Sequence, residues 1–203
     1  MYGRAMRLLL LARHGQSLFN VDQIVNGDPR LDRGLSQLGA EEGQRLQHQI
    51  AGTAIDLCVT SEFPRAQQTA ALALGKRAQT IPTTIDPDLN DVRIGELEGE
   101  TLDAYHAWKH AHTRTDPYPG GESLDAAARR YADAFERLLQ RSEEIILCVC
   151  HEIPVRYAVN ATSGSDVLDG PLHIVENATP YAFDAVGLRR AVERIRELAA
   201  PTA

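Results

Sequence analysis

Lysine is almost absent from this sequence: Lys76 and Lys109 are the two it has, so arginine carries nearly all of its positive charge. Genome composition suffices to account for that bias. Cysteine is scarce too. Cys58, Cys148 and Cys150 sit in apolar, strand-like runs without metal or redox spacing, which argues for buried, reduced thiols in a cytoplasmic protein. No stretch approaches the length of a membrane span. The leucines after Arg7 are too few for a secretory signal and run straight into Arg13-His14 without a small-residue cleavage site. Met6 is a plausible start, with Met1 to Ala5 an unimportant extension. A basic surplus is also missing: the net charge of -7 and pI near 5.5 argue against a general nucleic-acid binder. What remains is ordinary. Hydrophobic content of 43% and charged content of 24% over 203 residues fit one sizeable α/β domain, residues 1–203, with only Ala199 to Ala203 expected to be disordered.

Two apolar runs organise the rest. Leu8-Leu9-Leu10-Leu11-Ala12 ends in Arg13-His14-Gly15, and Ile145-Ile146-Leu147-Cys148-Val149-Cys150 ends in His151. Such unbroken runs suit strands buried on both faces of a parallel sheet, and ligands of those sheets bind beyond the strands' carboxyl ends. Arginine offers a planar fork of donors to a phosphate or carboxylate. A neutral imidazole beside it can act as nucleophile or base. Alone, the Arg-His-Gly triplet is weak and fits a simple turn.

Between these runs, Gln16 to Gly34 reads as a long active-site loop. A helix follows, N-capped by Ser36 and reaching about Ile50. Ile55 to Thr60 and Gln79 to Thr84 read as strands. Pro64 opens a helix whose first turn holds Arg65, where exposed backbone donors already favour an anion. Ile85 to Thr101 is an acid-rich loop, Leu102 to His112 a helix, and Thr113 to Gly121 a break with two prolines and two glycines. Ser123 caps a helix to about Gln140. Further helix is expected over Val155 to Val159 and Leu188 to Leu198, and strands over Leu172 to Val175 and Tyr181 to Val186. The expected fold is a three-layer α/β sandwich, a mainly parallel sheet with helices on both faces.

The spaced motifs Arg13-His14-Gly15-Gln16-Ser17 with Asn20, Ser61 to Arg65-Ala66 with Thr69, Leu89-Asn90-Asp91 before Gly95 and Glu98-Gly99, Gly121-Glu122-Ser123, and Cys150-His151 with Arg156 resemble the histidine phosphatase superfamily. The branch is that of cofactor-dependent phosphoglycerate mutases and their phosphatase relatives, and the resemblance runs from Leu8 to about Thr179. It implies the phosphoglycerate mutase-like fold and makes His14 the nucleophile that becomes phosphohistidine. Arg13, Arg65 and His151 would hold the phosphoryl group. Asn20, with Gln16, Ser17 and Gly27 of the same loop, would line the substrate pocket. An acid of the Leu89 to Gly99 loop would protonate the leaving oxygen. No metal or other cofactor is implied. The expected partner is a small phosphate ester rather than nucleic acid or membrane, and a homodimer is compatible with the resemblance.

Two residues depart from the family pattern. Asp91 stands where glutamate is common, a side chain shorter by roughly 1.5 Å, with Glu96 and Glu98 in reserve. Glu152 follows His151 where many relatives have glycine, and it is expected to point outward, toward the N-terminus of the next helix. Residues 101–121 are expected to form a cap or specificity segment, and Arg30, Arg33, Lys109 and Arg114 are candidates to meet a second negative group. Other constellations are weaker. His106, His110 and His112 lack a third zinc ligand, and Gly120-Gly121-Glu122-Ser123 is no serine-hydrolase elbow. Three readings stand: a phosphatase, which the chain's shortness relative to the mutases favours; a mutase; and a non-catalytic phospholigand-binding protein.

Overall fold

The computed structural model describes residues 5–201. Among them, five strands form one sheet in the order β3-β2-β4-β1-β5: β1 (Leu8–Arg13), β2 (Leu57–Thr60), β3 (Thr83–Ile85), β4 (Ile145–Cys150) and β5 (Pro180–Asp184). The four strands β3, β2, β4 and β1 run parallel, and β5 adds an antiparallel edge. The helices are α1 (Leu18–Asp22), α2 (Gln37–Gln49), α3 (Pro64–Leu74), α4 (Leu102–Ala111), α5 (Leu124–Leu139), α6 (Glu152–Thr162) and α7 (Ala185–Leu198).

The apolar runs are continuous because both faces of the sheet are covered. Leu9 and Leu11 of β1, with Ile146, Cys148 and Cys150 of β4, join the core beneath α5, α6 and α7. Leu10 and Ala12, with Ile145, Leu147 and Val149, join the core beneath α2 and α3. Side chains alternate between faces along a strand, so each run feeds two cores and has no place for a polar residue. All three cysteines are buried and free.

Register then decides where the chemistry lies. Arg13 pairs with Cys150, and the His14 N–H donates to Cys150 O at 3.0 Å, so His14 and His151 leave adjacent parallel strands at the same edge. Next to them, Thr60 pairs with Val149 and delivers Ser61 and the start of α3 to that edge.

Several local expectations are corrected. The segment Gln16 to Gly34 contains α1, closed by a capping box in which Ser17 Oγ accepts from Asn20 N–H and Asn20 Oδ1 accepts from Ser17 N–H. Gly75–Gln79 forms a 3-10 turn, and β3 begins only after Pro82, whose carbonyl accepts from Cys58 N–H. α6 starts at Glu152, ahead of Pro154, because a first-turn proline forfeits no intrahelical bond. Leu172 to Val175 is not a strand: the Asn160 side chain donates to Leu168 O and Leu172 O and accepts from Leu172 N–H, satisfying that backbone without a ladder. Ala199 is fully buried, its carbonyl accepting from Arg129, so the expected disorder does not begin there. Met6 is buried in the core, while residues 1–4 and 202–203 lie outside the described residues. Among the described residues no helix is long and apolar enough to cross a membrane.

Candidate active site

A cavity of about 410 Å³ opens at the carboxyl edge of the sheet. Arg13, His14, Arg65 and Asp91 line it, as do Gln16, Ser17, Asn20 and Gly27. His151 lies directly behind: its ring meets that of His14 edge-on at 5.3 Å between centroids, and it is fully buried against Phe63. The two imidazoles are 137 positions apart in the chain and converge because their strands are neighbours.

Arg65 is the hub. It is 3% exposed, stacked 4.1 Å over the Phe63 ring, and its Nε donates to His14 Nε2 at 3.0 Å. Nη1 donates to Asn26 Oδ1 at 2.5 Å and Nη2 to Asn26 O at 3.2 Å, while Nη2 also lies 3.3 Å from His151 Nδ1 and 3.4 Å from Asp91 Oδ2. The buried carboxylate of Asp32 braces it from behind, 3.4 Å from Nη1 and accepting from Arg65 N–H. An arginine so restrained holds its donor fork in place before any ligand arrives.

His14 has a defined tautomer. Gly15 O can only accept, so His14 Nδ1, 2.6 Å away, carries the proton; Arg65 Nε can only donate, so Nε2 presents its lone pair. Burial above all, with the positive charges of Arg65 and Arg13, holds the His14 pKa well below the ordinary histidine value, and the ring is neutral at pH 7. His151 is shifted the same way by burial, Arg65 and His14; its Nε2 bonds Ser61 Oγ at 2.9 Å.

Asp91 reaches the same space despite its length. Oδ2 lies 3.4 Å from His151 Nδ1, and Oδ1 accepts from Val92 N–H at 3.0 Å. The backbone that carries it is held in place. Arg130, projecting from α5, donates to the carbonyls of Asp88, Asn90 and Asp91 and is itself gripped by Glu122, which also accepts from Arg93 N–H. Gly121 lets this pairing form: a Cβ there would stand 2.2 Å from Arg93 O. Burial raises the Asp91 pKa, and Glu152 adds to the rise while Arg65 and Arg13 oppose it. The reserve acids are elsewhere. Glu98 accepts from Asn26 Nδ2 at 2.6 Å and Gly27 N–H at 2.7 Å, and neither it nor exposed Glu96 lines this cavity.

Glu152 does not point outward. Its Oε2 lies 2.8 Å from Arg13 Nη1 and its Oε1 3.6 Å from Arg156 Nη1, on the cavity wall. Two cations within reach outweigh solvation at the helix start. Of the cations considered for a second anion, Lys109 lines the cavity, with Tyr105 and His106 beside it on α4. Arg30 and Arg33 instead pair with Asp28 and Asp22, and Arg114 with Asp125. His112 stacks on Trp108, and the described residues contain no cluster of three or more potential metal-binding side chains.

Sequence reading missed Asn26, Asp32 and Arg130. An Asn-Gly pair before Asp28 reads only as a turn, and nothing local marks a distant arginine as the clamp of another loop. Gly39 was also unmarked: a Cβ there would lie 2.0 Å from Gln16 O, and one on Gly15 would lie 2.4 Å from Gly39 O, so two glycines let α2 seat against the His14 loop.

Comparison with known proteins points the same way. The family model described as histidine phosphatase superfamily (branch 1) matches residues 9–197. A 2,3-bisphosphoglycerate-dependent phosphoglycerate mutase of Methylobacterium sp. (strain 4-46) is 36% identical over 174 residues, covering 78% of this chain and 81% of the relative. The adenosylcobalamin/alpha-ribazole phosphatase of Escherichia coli (strain K12) is 32% identical over 160 residues, covering 72% and 74%. Among solved structures, the alpha-ribazole phosphatase of Shigella flexneri superposes with a TM-score of 0.74 at 29% identity, covering 87% of this chain and 90% of that one. Near-equal coverage shows that this mutase relative is of similar length, so chain length does not favour hydrolysis.

Proposed function

Since the chain belongs to the histidine phosphatase superfamily, we propose that it is a metal-independent phosphomonoesterase that works through a phosphohistidine on small phosphate esters. The observation that carries this reading is neutral His14 on the wall of a cavity it shares with Arg13, Arg65 and Asp91, its Nε2 unprotonated and held by Arg65 Nε. In the first step the Nε2 lone pair leaves its hydrogen bond with Arg65 Nε and attacks phosphorus in line as the P–O bond to the alcohol breaks. Asp91, its pKa raised, gives its proton to the departing oxygen. In the second step the Asp91 carboxylate takes a proton from water, whose oxygen displaces His14 and releases inorganic phosphate. Arg13 and Arg65 stabilise charge on the equatorial oxygens, which is most of what phosphoryl transfer asks of a protein, and buried His151 backs Arg65 and His14. Gln16, Ser17, Asn20 and Gly27 shape the near wall. Residues 1–203 act as one catalytic unit in which 101–121 is the cap that contacts the alcohol portion.

The test is phosphate release from a panel of monoesters with EDTA present, in wild type and His14→Ala, with intact-mass detection of the phosphoenzyme after an alkaline denaturing quench, which preserves the P–N bond. Loss of both signals in the variant is expected; turnover that survives it would overturn the nucleophile. A mutase is the second reading, favoured by the curated relatives at 36% identity. Bisphosphoglycerate-primed isomerisation of phosphoglycerate identifies it.

A further inference from the structure

The wall facing Arg65 carries a carboxylate that the proposed reaction does not use. Glu152 sits 2.8 Å from Arg13 Nη1, a guanidinium whose same nitrogen donates to Val175 O at 2.9 Å. The other cation near Glu152 is taken as well: Arg156 Nη2 pairs with Asp169 at 2.6 Å, and its Nη1 is 3.6 Å from Glu152. The Lys109 ammonium lies 5.7 Å above the Tyr105 ring. With Asp91 protonated as the donor, Arg13, Arg65, Lys109 and Arg156 face Glu152 alone around the cavity, a positive surplus of three. Asp32 behind Arg65 and Asp169 behind Arg156 lower that surplus to one, less than a phosphoryl dianion neutralises. Nothing is left for a second anion on the same substrate, and Glu152 would repel it. Apolar and aromatic side chains, Phe19, Ile24, Leu102 and Tyr105, share the rest of the wall with uncharged polar ones such as Asn20, Gln23 and Asn177.

We propose that Glu152 is a specificity-determining residue that restricts this site to monophosphate esters of uncharged alcohols and rejects esters bearing a second negative group. This rests on the phosphatase reading for its substrate class, and on the cavity's charge alone for its selectivity. A like charge within about 4–6 Å shifts an equilibrium by roughly 10-fold or more, which sets the expected scale.

The experiment uses a matched pair, glycerol 3-phosphate and 3-phosphoglycerate, which differ by a carboxylate in place of a hydroxymethyl group. Dissociation constants are measured by calorimetry and kcat/KM by phosphate release, for wild type, Glu152→Gln and Glu152→Asp, each first checked for a cooperative thermal transition. Wild type is expected to favour glycerol 3-phosphate. The amide variant should shift the ratio toward 3-phosphoglycerate by about 10-fold or more, mostly through KM, whereas the aspartate, which keeps the charge, should retain most of the preference. A merely structural Glu152 would weaken both esters together. Wild type preferring the acid, or a ratio the amide leaves unmoved, overturns the proposal. If neither ester turns over but the ratio of dissociation constants still shifts, the selectivity stands and the phosphatase reading falls.

Discussion

Replacing Asp91 by asparagine isolates the proton from everything else at this site. The amide is isosteric, its oxygen can keep the 3.0 Å bond from Val92 N–H, and the loop stays held through the backbone carbonyls that Arg130 grips. What disappears is a carboxyl able to protonate the leaving oxygen. An alkoxide needs that proton and a nitrophenolate does not. Hydrolysis of glycerol 3-phosphate should therefore slow by about 100- to 10,000-fold, or about 2.7–5.5 kcal/mol of barrier, while p-nitrophenyl phosphate loses less than about 10-fold. The pH profile gives an independent reading. Because the Asp91 pKa is raised, wild-type kcat/KM for the alkyl ester should fall as pH rises through that raised value, where the donor ionises, and this limb should vanish in the variant. An equal slowing of both esters would mean that Asp91 positions rather than protonates, and no slowing would assign the proton to another group.

Asn26→Ala removes the acceptor that fixes Arg65 at 2.5 Å, so kcat/KM should fall about 10- to 100-fold, of the order expected for a misplaced guanidinium; steady-state kinetics check this. Glu122→Ala strands Arg130 beside the Asp91 loop and should cost about 3–5 kcal/mol in urea unfolding, as breaking a buried pair does. Acid should destabilise the protein below about pH 6.5, the ordinary histidine value. His14 and His151 are held neutral when folded, so the unfolded chain binds more protons there, and stability drops by about 1.4 kcal/mol per pH unit for each histidine. Urea midpoints between pH 7 and 5.5 measure the slope, and His151→Asn should flatten it.

The sequence by itself was enough for the two central strands and for the residues at their ends. Leu8 to Ala12 and Ile145 to Cys150 have no polar position because each feeds two cores, and that pattern survives in one dimension. Capping residues were legible too, since Ser36 and Ser123 act on backbone three positions away. Leu172 to Val175 misled because Asn160, outside the segment, satisfies its backbone. Only the tertiary structure decided the orientation of Glu152 and which of Asp91, Glu96 and Glu98 lines the cavity. Each depends on partners remote in sequence: Arg13 draws Glu152 inward, Arg130 sets the Asp91 backbone, and Asn26 with Gly27 occupies Glu98. Local patterns encode what a residue does to its neighbours along the chain; the direction of a charged side chain is set by whichever opposite charge the fold brings within a few ångströms.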